Sequence, residues 1–294
     1  MFYCSLSLTQ YYKLPHTFVV RRSCCRYWFL LAVGLALCVG VAGATPASAQ
    51  TMWTPLYRPN QVALEWIVPT LGDGRFQVSG GGAYFDLSVS LTRRVEVITE
   101  LPFAYRFAGS ARSTAVVGNP YVGIGLSALS VPVLLEVGAR IPATEDDAAL
   151  AVGELANVGR SSAFRAQERN ASALLSWRYL LTRHLSVRLR GGVVAIERLE
   201  GALDPGRHAR LRYSGQLWYE EGSITAGLTA TGWVPPTTSP GTFREESVNH
   251  LMGTFMIDVG PARPGLLVGV PVDRDLWDRA PLLIGLTLSA SHQR

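Results

Sequence analysis

All four cysteines (Cys4, Cys24, Cys25, Cys38) fall in the first 49 residues, and the remainder of the 294-residue chain has none. That excludes a disulfide framework or a thiolate metal site from the body of the protein. Charge is scarce as well. Only 17% of residues are charged against 48% hydrophobic, which excludes a disordered chain. Neither sign dominates once the charge is divided along the sequence. Residues 1–49 hold Lys13, Arg21, Arg22 and Arg26 and no acid; without those four, the 27 basic residues become 23, set against 22 acidic ones. A near-neutral body lacks the basic surface of a nucleic-acid binder, so no nucleic-acid partner is expected. After residue 49 no uninterrupted apolar run reaches the roughly 18 residues of a membrane-spanning helix, and no fixed short repeat runs through the chain.

What is present begins with a leader. Arg21, Arg22 and Arg26 precede an apolar run from Tyr27 to Ala44, and Ala47-Ser48-Ala49 follows just before Gln50. Positive region, apolar core and small-residue exit come in the order of a secretory signal. The rival is an uncleaved anchor helix, which Gly34, Gly40, Gly43 and Pro46 weaken. Residues 1–49 are therefore read as a cleaved signal peptide and 50–294 as one exported domain.

That domain reads in twos. Val95, Val97, Leu101, Phe103 and Tyr105 alternate with Glu96, Glu100 and Arg106; Leu185, Val187 and Leu189 alternate with Ser186, Arg188 and Arg190. Period two gives strands with one apolar and one polar face. Twelve such strands are predicted, near 61–68, 76–91, 95–107, 119–128, 133–142, 170–180, 184–197, 208–219, 223–233, 247–259, 265–270 and 281–290. Short turns (92–94, 129–132, 181–183, 220–222, 260–264) alternate between them with longer loops, of which 143–169 is the longest. This alternation is the mark of an outer-membrane barrel. The expected fold is all-β: a transmembrane antiparallel up-and-down β-barrel of about twelve strands, in contact with outer-membrane lipid. Aromatics near strand ends (Trp66, Phe103, Tyr105, Phe107, Trp177, Tyr179, Tyr219, Trp233) suit interfacial girdles. The alternative is a secreted soluble β-sandwich whose apolar faces pack together.

The stretch Leu91–Thr144 resembles a bacterial outer-membrane family known after the phenol-degradation MetA pathway. The hairpin Leu91-Thr92-Arg93-Arg94-Val95-Glu96-Val97, the pair Leu101-Pro102, the glycine-rich run Gly118-Asn119-Pro120-Tyr121-Val122-Gly123-Ile124-Gly125 and the strand Leu135–Thr144 carry the likeness. The Gly-Asp usual before the glycine-rich strand is absent, and the family's Pro-Thr-Gly reads Pro142-Ala143-Thr144 here. The resemblance implies a channel or transporter, for hydrophobic or aromatic compounds, with no catalytic residues to carry over.

If apolar faces meet lipid, the opposite faces line a lumen. The lumen-lining residues expected are Glu96, Glu100, Arg106, Glu136, Arg140, Arg178, Arg188, Arg190, Arg210 and Arg212, with Asp86 and His184 beside them. Arginine concentrates near 178, 188 and 210, which suggests a conduit for small solutes with a bias toward anions. A lumen plugged by its own ion pairs, as in a structural or adhesive barrel, is the competing reading. A lipid hydrolase using His184 and Ser186, with Glu197 orienting the base, is weighed and set aside because Glu197 has the opposite strand parity from Ser186; the chain is expected not to be an enzyme. No cofactor is expected: Gly80-Gly81-Gly82 lacks the lysine and helix of a phosphate loop. No metal is expected either, since His184, His208, His250 and His292 are scattered and Glu145-Asp146-Asp147 reads as a solvated loop.

Overall fold

A computed structural model describes residues 60–70, 80–107, 113–128, 132–145, 147–199, 206–237 and 246–291. The leader expected over 1–49 lies outside the described residues.

The period-two segments form strands: β1 (Gln61–Thr70), β2 (Gly80–Ser90), β3 (Val95–Arg106), β4 (Thr114–Val117), β5 (Tyr121–Ser127), β6 (Val133–Arg140), β7 (Glu168–Leu180), β8 (Leu185–Arg198), β9 (Gly206–Glu221), β10 (Ile224–Val234), β11 (Val248–Ile257), β12 (Ala262–Pro271) and β13 (Leu282–Ser291). Every pairing is antiparallel. β1 pairs with β2 on one side and with β13 on the other, from Gln61↔Ser291 to Thr70↔Leu282, so the sheet closes on itself. One closed sheet replaces the two packed sheets of the sandwich alternative.

The barrel has twelve staves, because β4 and β5 are two halves of one. Both lie against β3: Phe103–Arg106 pairs with β4 and Val95–Glu100 with β5. The sequence places a loop over 108–118 and one strand over 119–128; instead pairing resumes at Thr114 and breaks at Gly118-Asn119-Pro120. Pro120 has no N–H to give the ladder. Gly118 N–H still donates to the Pro102 carbonyl at 2.7 Å, while Asn119 N–H turns to the Ala163 carbonyl at 2.6 Å.

Burial inverts the pattern of a soluble domain. On β1 Val62, Leu64 and Trp66 are exposed while Gln61, Ala63, Glu65 and Ile67 are buried. On β13 Ile284, Leu286 and Leu288 are exposed while Thr287 and Ser289 are buried. Apolar surface on this scale, with polar groups inside, is the arrangement of a barrel made for lipid. Aromatics gather at both ends of the staves. Trp66, Tyr105 and Phe107 form one group, with centroids 5.9 and 5.2 Å apart, and Trp177 and Tyr179 form another at 5.7 Å. Trp233 does not join them. It is the cross-strand partner of Arg212 and lies under the Arg210 guanidinium, 3.9 Å from the ring centroid.

Two of the short turns share one design, as their sequences suggest. Thr92 Oγ1 accepts from Arg94 and Val95 N–H, both at 3.1 Å, and Thr182 Oγ1 accepts from His184 and Leu185 N–H at 3.2 and 3.0 Å. A threonine hydroxyl that satisfies two turn amides makes each hairpin locally self-sufficient.

The longest connection, read as a plain loop over 143–169, is not one. It holds helix α1 (Ala148–Ala156) and a 3-10 turn (Val158–Ala163). Asp147 caps α1, its carboxylate accepting from Ala149 N–H at 2.7 Å. Ala149, Leu150, Ala156, Ala163 and Phe164 pack in one buried cluster with the inward residues Ile67, Tyr84, Ala104, Met252, Leu267 and Leu283. The segment is a plug inside the barrel. A second short helix, α2 (Arg274–Trp277), has no buried residue. Neither helix is long and apolar enough to cross a membrane.

Candidate functional site

The plug is held to the β1–β3 wall by charge. Arg160 is 3% exposed, and its guanidinium lies 3.1 Å from Glu65, 3.3 Å from Glu100 and 3.8 Å from Asp86. It also sits over the Tyr84 ring, 4.5 Å from the centroid. Burial alone works against its charge, but Glu65, Glu100 and Asp86 more than offset that and raise its pKa. Asp86 and Glu100 are direct cross-strand partners, a like-charge pair that is tolerable only with a cation between them. Arg140 supplies a second: it pairs with Glu100 and donates to the Asn119 carbonyl at 2.9 Å.

Asn119 fastens both ends of the plug. Its side-chain oxygen accepts from Ala143 N–H (2.9 Å), Thr144 N–H (3.3 Å) and the Thr144 hydroxyl (3.0 Å) where the segment leaves β6. Its amide donates to the carbonyls of Arg165 (2.7 Å), Ser162 (3.1 Å) and Glu168 (3.4 Å) where the segment rejoins β7. Close approach demands small residues here. A Cβ on Gly118 would stand 2.3 Å from the Ala163 carbonyl oxygen, and one on Gly153 only 2.8 Å from the Phe164 ring. Farther along, Arg165 bridges Glu154 on α1 (3.4 Å) and Glu168 on β7 (3.6 Å). Burial raises the Glu154 pKa, an effect that Arg165 opposes.

The facing wall carries arginine. In the β7–β8–β9 register Arg178 stands opposite Arg188; then come Arg190 opposite Ser214, Gly192 opposite Arg212 and Val194 opposite Arg210. Arg188, Arg190, Arg212 and Arg210 therefore climb one face two residues at a time, roughly 7 Å per step and about 20 Å in all. Each has a neighbour. Arg188 donates to the Ser176 hydroxyl at 3.3 Å, Arg190 pairs with Glu136, Arg212 donates to the Gly159 carbonyl of the plug, and Arg210 stacks on Trp233. Arg178 lies 3.9 Å from Glu220.

Of the residues singled out in the sequence, Glu100 and Arg140 join the plug anchor. Glu136 accepts from the Tyr121 hydroxyl at 2.7 Å and pairs with Arg190, while Glu96 is buried four residues before Glu100 on the same face of β3. Arg178, Arg188, Arg190, Arg210 and Arg212 form the ladder. Arg106 stands apart, exposed at the end of β3. Arg160, Glu65 and Asn119 were missed. Glu65 was findable, since it holds an alternating position on a predicted strand. Arg160 carries no periodic signal, and Asn119 stands out in the sequence only as part of a motif. One compositional signal was also available: Lys13 is the only lysine, so every other formally cationic side chain is arginine. Arginine keeps its charge and its planar donors where lysine would lose its proton.

The trio weighed for lipid hydrolysis does not assemble. His184 sits exposed in a turn beside Tyr219, with Nδ1 3.1 Å from the Glu220 carbonyl, and Ser186 is buried near Arg178. Glu197, far up β8, binds Arg169 and Arg207. Among the described residues no three His, Cys, Asp or Glu side chains stand where they could hold a metal ion.

Solved structures place this architecture. An outer membrane channel from Pseudomonas putida F1 superposes with a TM-score of 0.53 at 13% identity, over 83% of this chain and 100% of that one. The fold is that of an outer-membrane barrel. The NanC porin matches with a TM-score of 0.46 at 10% identity, over 80% of this chain and 100% of that one. LpxR from Salmonella typhimurium matches at 0.40 and 10% identity, over 79% and 100%. No protein-family model matches the chain, and no curated protein does. The expectation that the chain is not an enzyme is corrected on this point. The outer-membrane barrel is a fold that hosts unrelated functions, so it does not exclude catalysis.

Proposed function

We propose that the protein is an outer-membrane channel for small solutes, exported by a cleaved leader over 1–49 and related to the MetA-pathway family. The solute path runs between the plug and the arginine ladder, with a preference for anions or for apolar solutes bearing an anionic group. The observation that carries the reading is the ladder itself. Arg188, Arg190, Arg212 and Arg210 occupy one inward face over about 20 Å, and an aligned row of fixed positive charge favours anions in a narrow lumen. The exposed apolar band is the surface that lipid would cover.

The test is a planar-bilayer recording of the full-length barrel recovered from an outer-membrane fraction, its closure checked by heat-modifiable migration. Wild type should give a reversal potential on the anion side under a salt gradient, and Arg188→Gln with Arg190→Gln should move it toward neutrality. Unchanged selectivity would remove the anion assignment. A soluble periplasmic product would remove the membrane placement.

A permanently closed structural barrel is the second reading, favoured by the grip of three carboxylates on Arg160. It expects no current from wild type and a current from Arg160→Gln.

A further inference from the structure

At the loop end of the strands the outward face of the barrel carries charge in one place. β7, β8 and β9 pair so that Arg169, Glu197 and Arg207 stand in a single cross-strand row. These three share the strand parity of Leu175 on β7, Val193 on β8 and Leu211 on β9, which face outward and are exposed. Among the described strand residues at that end, no other outward position is charged. The row is bound within itself. Glu197 accepts from Arg169 Nε at 2.7 Å, with Arg169 Nη2 at 2.6 Å, and from Arg207 Nε at 3.3 Å. Two guanidiniums around one carboxylate leave a positive charge in excess. Arg207 meets Glu197 through Nε, and its side chain is 86% exposed. Exposed ion pairs contribute little to stability, so holding the barrel together does not account for the row.

The level of the row in the membrane follows from strand geometry. Arg169 and Tyr179 lie ten positions apart on the same outward face of β7. At about 3.4 Å per residue and the roughly 35–45° tilt of such barrels, that is about 25 Å of height, the depth of the apolar band that lipid covers. Trp177 and Tyr179 stack at the short-turn end, which marks the inner interface. The charged row therefore stands at the opposite interface, on the side of the long connections, which in these barrels is the outer one. Lipid phosphates lie at that level. The next row toward the membrane centre is Ala171, Ala195 and Ala209, all exposed. Directly beneath the charge the wall presents only methyl groups, a shallow strip on which an acyl chain can lie.

We propose that Arg169 and Arg207 form a headgroup site for a phosphorylated lipid of the outer leaflet, one that carries phosphate monoesters on an acylated sugar, as lipid A does. Glu197 sets the spacing of the two guanidiniums and competes with the phosphate for them. The planar donors of arginine fit a phosphate through paired N–H···O bonds, and the acyl chains cover the alanine row. The proposal rests on the outer-membrane placement and not on conduction.

Titration of the full-length barrel with lipid A in non-ionic detergent micelles, with bound lipid counted by native mass spectrometry, measures the site. Phosphatidylcholine and inorganic phosphate serve as the other probes. Wild type should bind lipid A in preference to both. Arg169→Gln with Arg207→Gln should weaken lipid A binding about tenfold and Arg207→Gln alone about threefold, the scale of exposed charge pairs. Glu197→Gln removes the competitor and should strengthen binding about threefold. Arg183→Gln, in the turn at the other rim, removes the same charge and should change nothing. If the double variant does not close into a heat-modifiable barrel, Arg207→Gln and Glu197→Gln carry the test. Lipid A bound equally by wild type and all folded row variants would overturn the site. Inorganic phosphate bound as tightly as lipid A would overturn the lipid assignment. A barrel that passes no current yet loses lipid A on Arg207→Gln would uphold this site and overturn the channel reading.

Discussion

The two inner walls of this barrel are built by the same alternation and hold opposite chemistry. On β1–β3 the inward positions carry Glu65, Asp86 and Glu100 beside Ile67, Tyr84 and Ala104, and the plug covers them. On β7–β9 they carry Arg178, Arg188, Arg190, Arg210 and Arg212. The acidic wall is completed by a segment from outside the sheet, with Arg160 as its counter-charge; the basic wall finds its partners largely on neighbouring staves. A period of two fixes which residues face inward, but what they face depends on a connection with no period at all. The acidic wall should accordingly be a stability element and the basic wall a selectivity element.

The sharpest way to break that division is Arg160→Gln. It leaves three buried carboxylates with one fewer cation and should cost about 3–5 kcal/mol, read as an earlier urea midpoint of heat-modifiable migration. If it costs no more than Arg188→Gln, the division fails. Asn119→Ala comes next. It releases both ends of the plug and leaves several buried backbone groups without partners, at about 2–4 kcal/mol; protease should then cut between residues 143 and 167 in the folded barrel. Gly153→Ala sets two effects against each other. Helix propensity favours alanine by about 1 kcal/mol, while its Cβ would stand 2.8 Å from the Phe164 ring and 2.9 Å from Ala104. Neither neighbour is a flexible end, so packing should win, with a net loss of about 1–2 kcal/mol on the same scale. The smallest effect belongs to Glu154. Its raised pKa means the folded plug holds this proton more tightly than the unfolded chain does. The contribution to stability is full below the ordinary carboxylate range and is lost as pH rises through the raised value. Glu154→Gln should flatten that slope slightly, since the side chain is still a third exposed; a steeper slope would contradict the assignment.

The strands were legible because each lipid-facing position had to be apolar and each inward one did not. The registers from Gln61↔Ser291 through Arg198↔Gly206 follow from that parity. The turn Leu181-Thr182-Arg183-His184-Leu185 was legible as a repeat of Leu91-Thr92-Arg93-Arg94-Val95, since the threonine bonds depend on local sequence alone. The plug was not legible. Its helix is short and rich in alanine, and its inward packing is decided by Phe164, Ala104 and Tyr84, residues distant in sequence. Arg160 looked like one more loop arginine because nothing local distinguishes it. Trp233 was misread for the related reason that an aromatic at a strand end can face either way, and the neighbour that holds it, Arg210, belongs to another strand.

The pairing that closes the barrel joins residues 61–70 to 282–291, the first described strand to the last. The two outer edges of the sheet stay free until the final ten or so residues of the sheet have been made and delivered. Folding of such a chain is late and non-local, with a high contact order, and until closure both edges stay open to foreign strands. The plug depends on the same late strands. It hangs between β6 and β7, in the middle of the chain, yet its cluster includes Met252, Leu267 and Leu283 from the last three strands. A chain truncated before β11 should keep its hairpins and its plug segment but lack the strands that close around that segment.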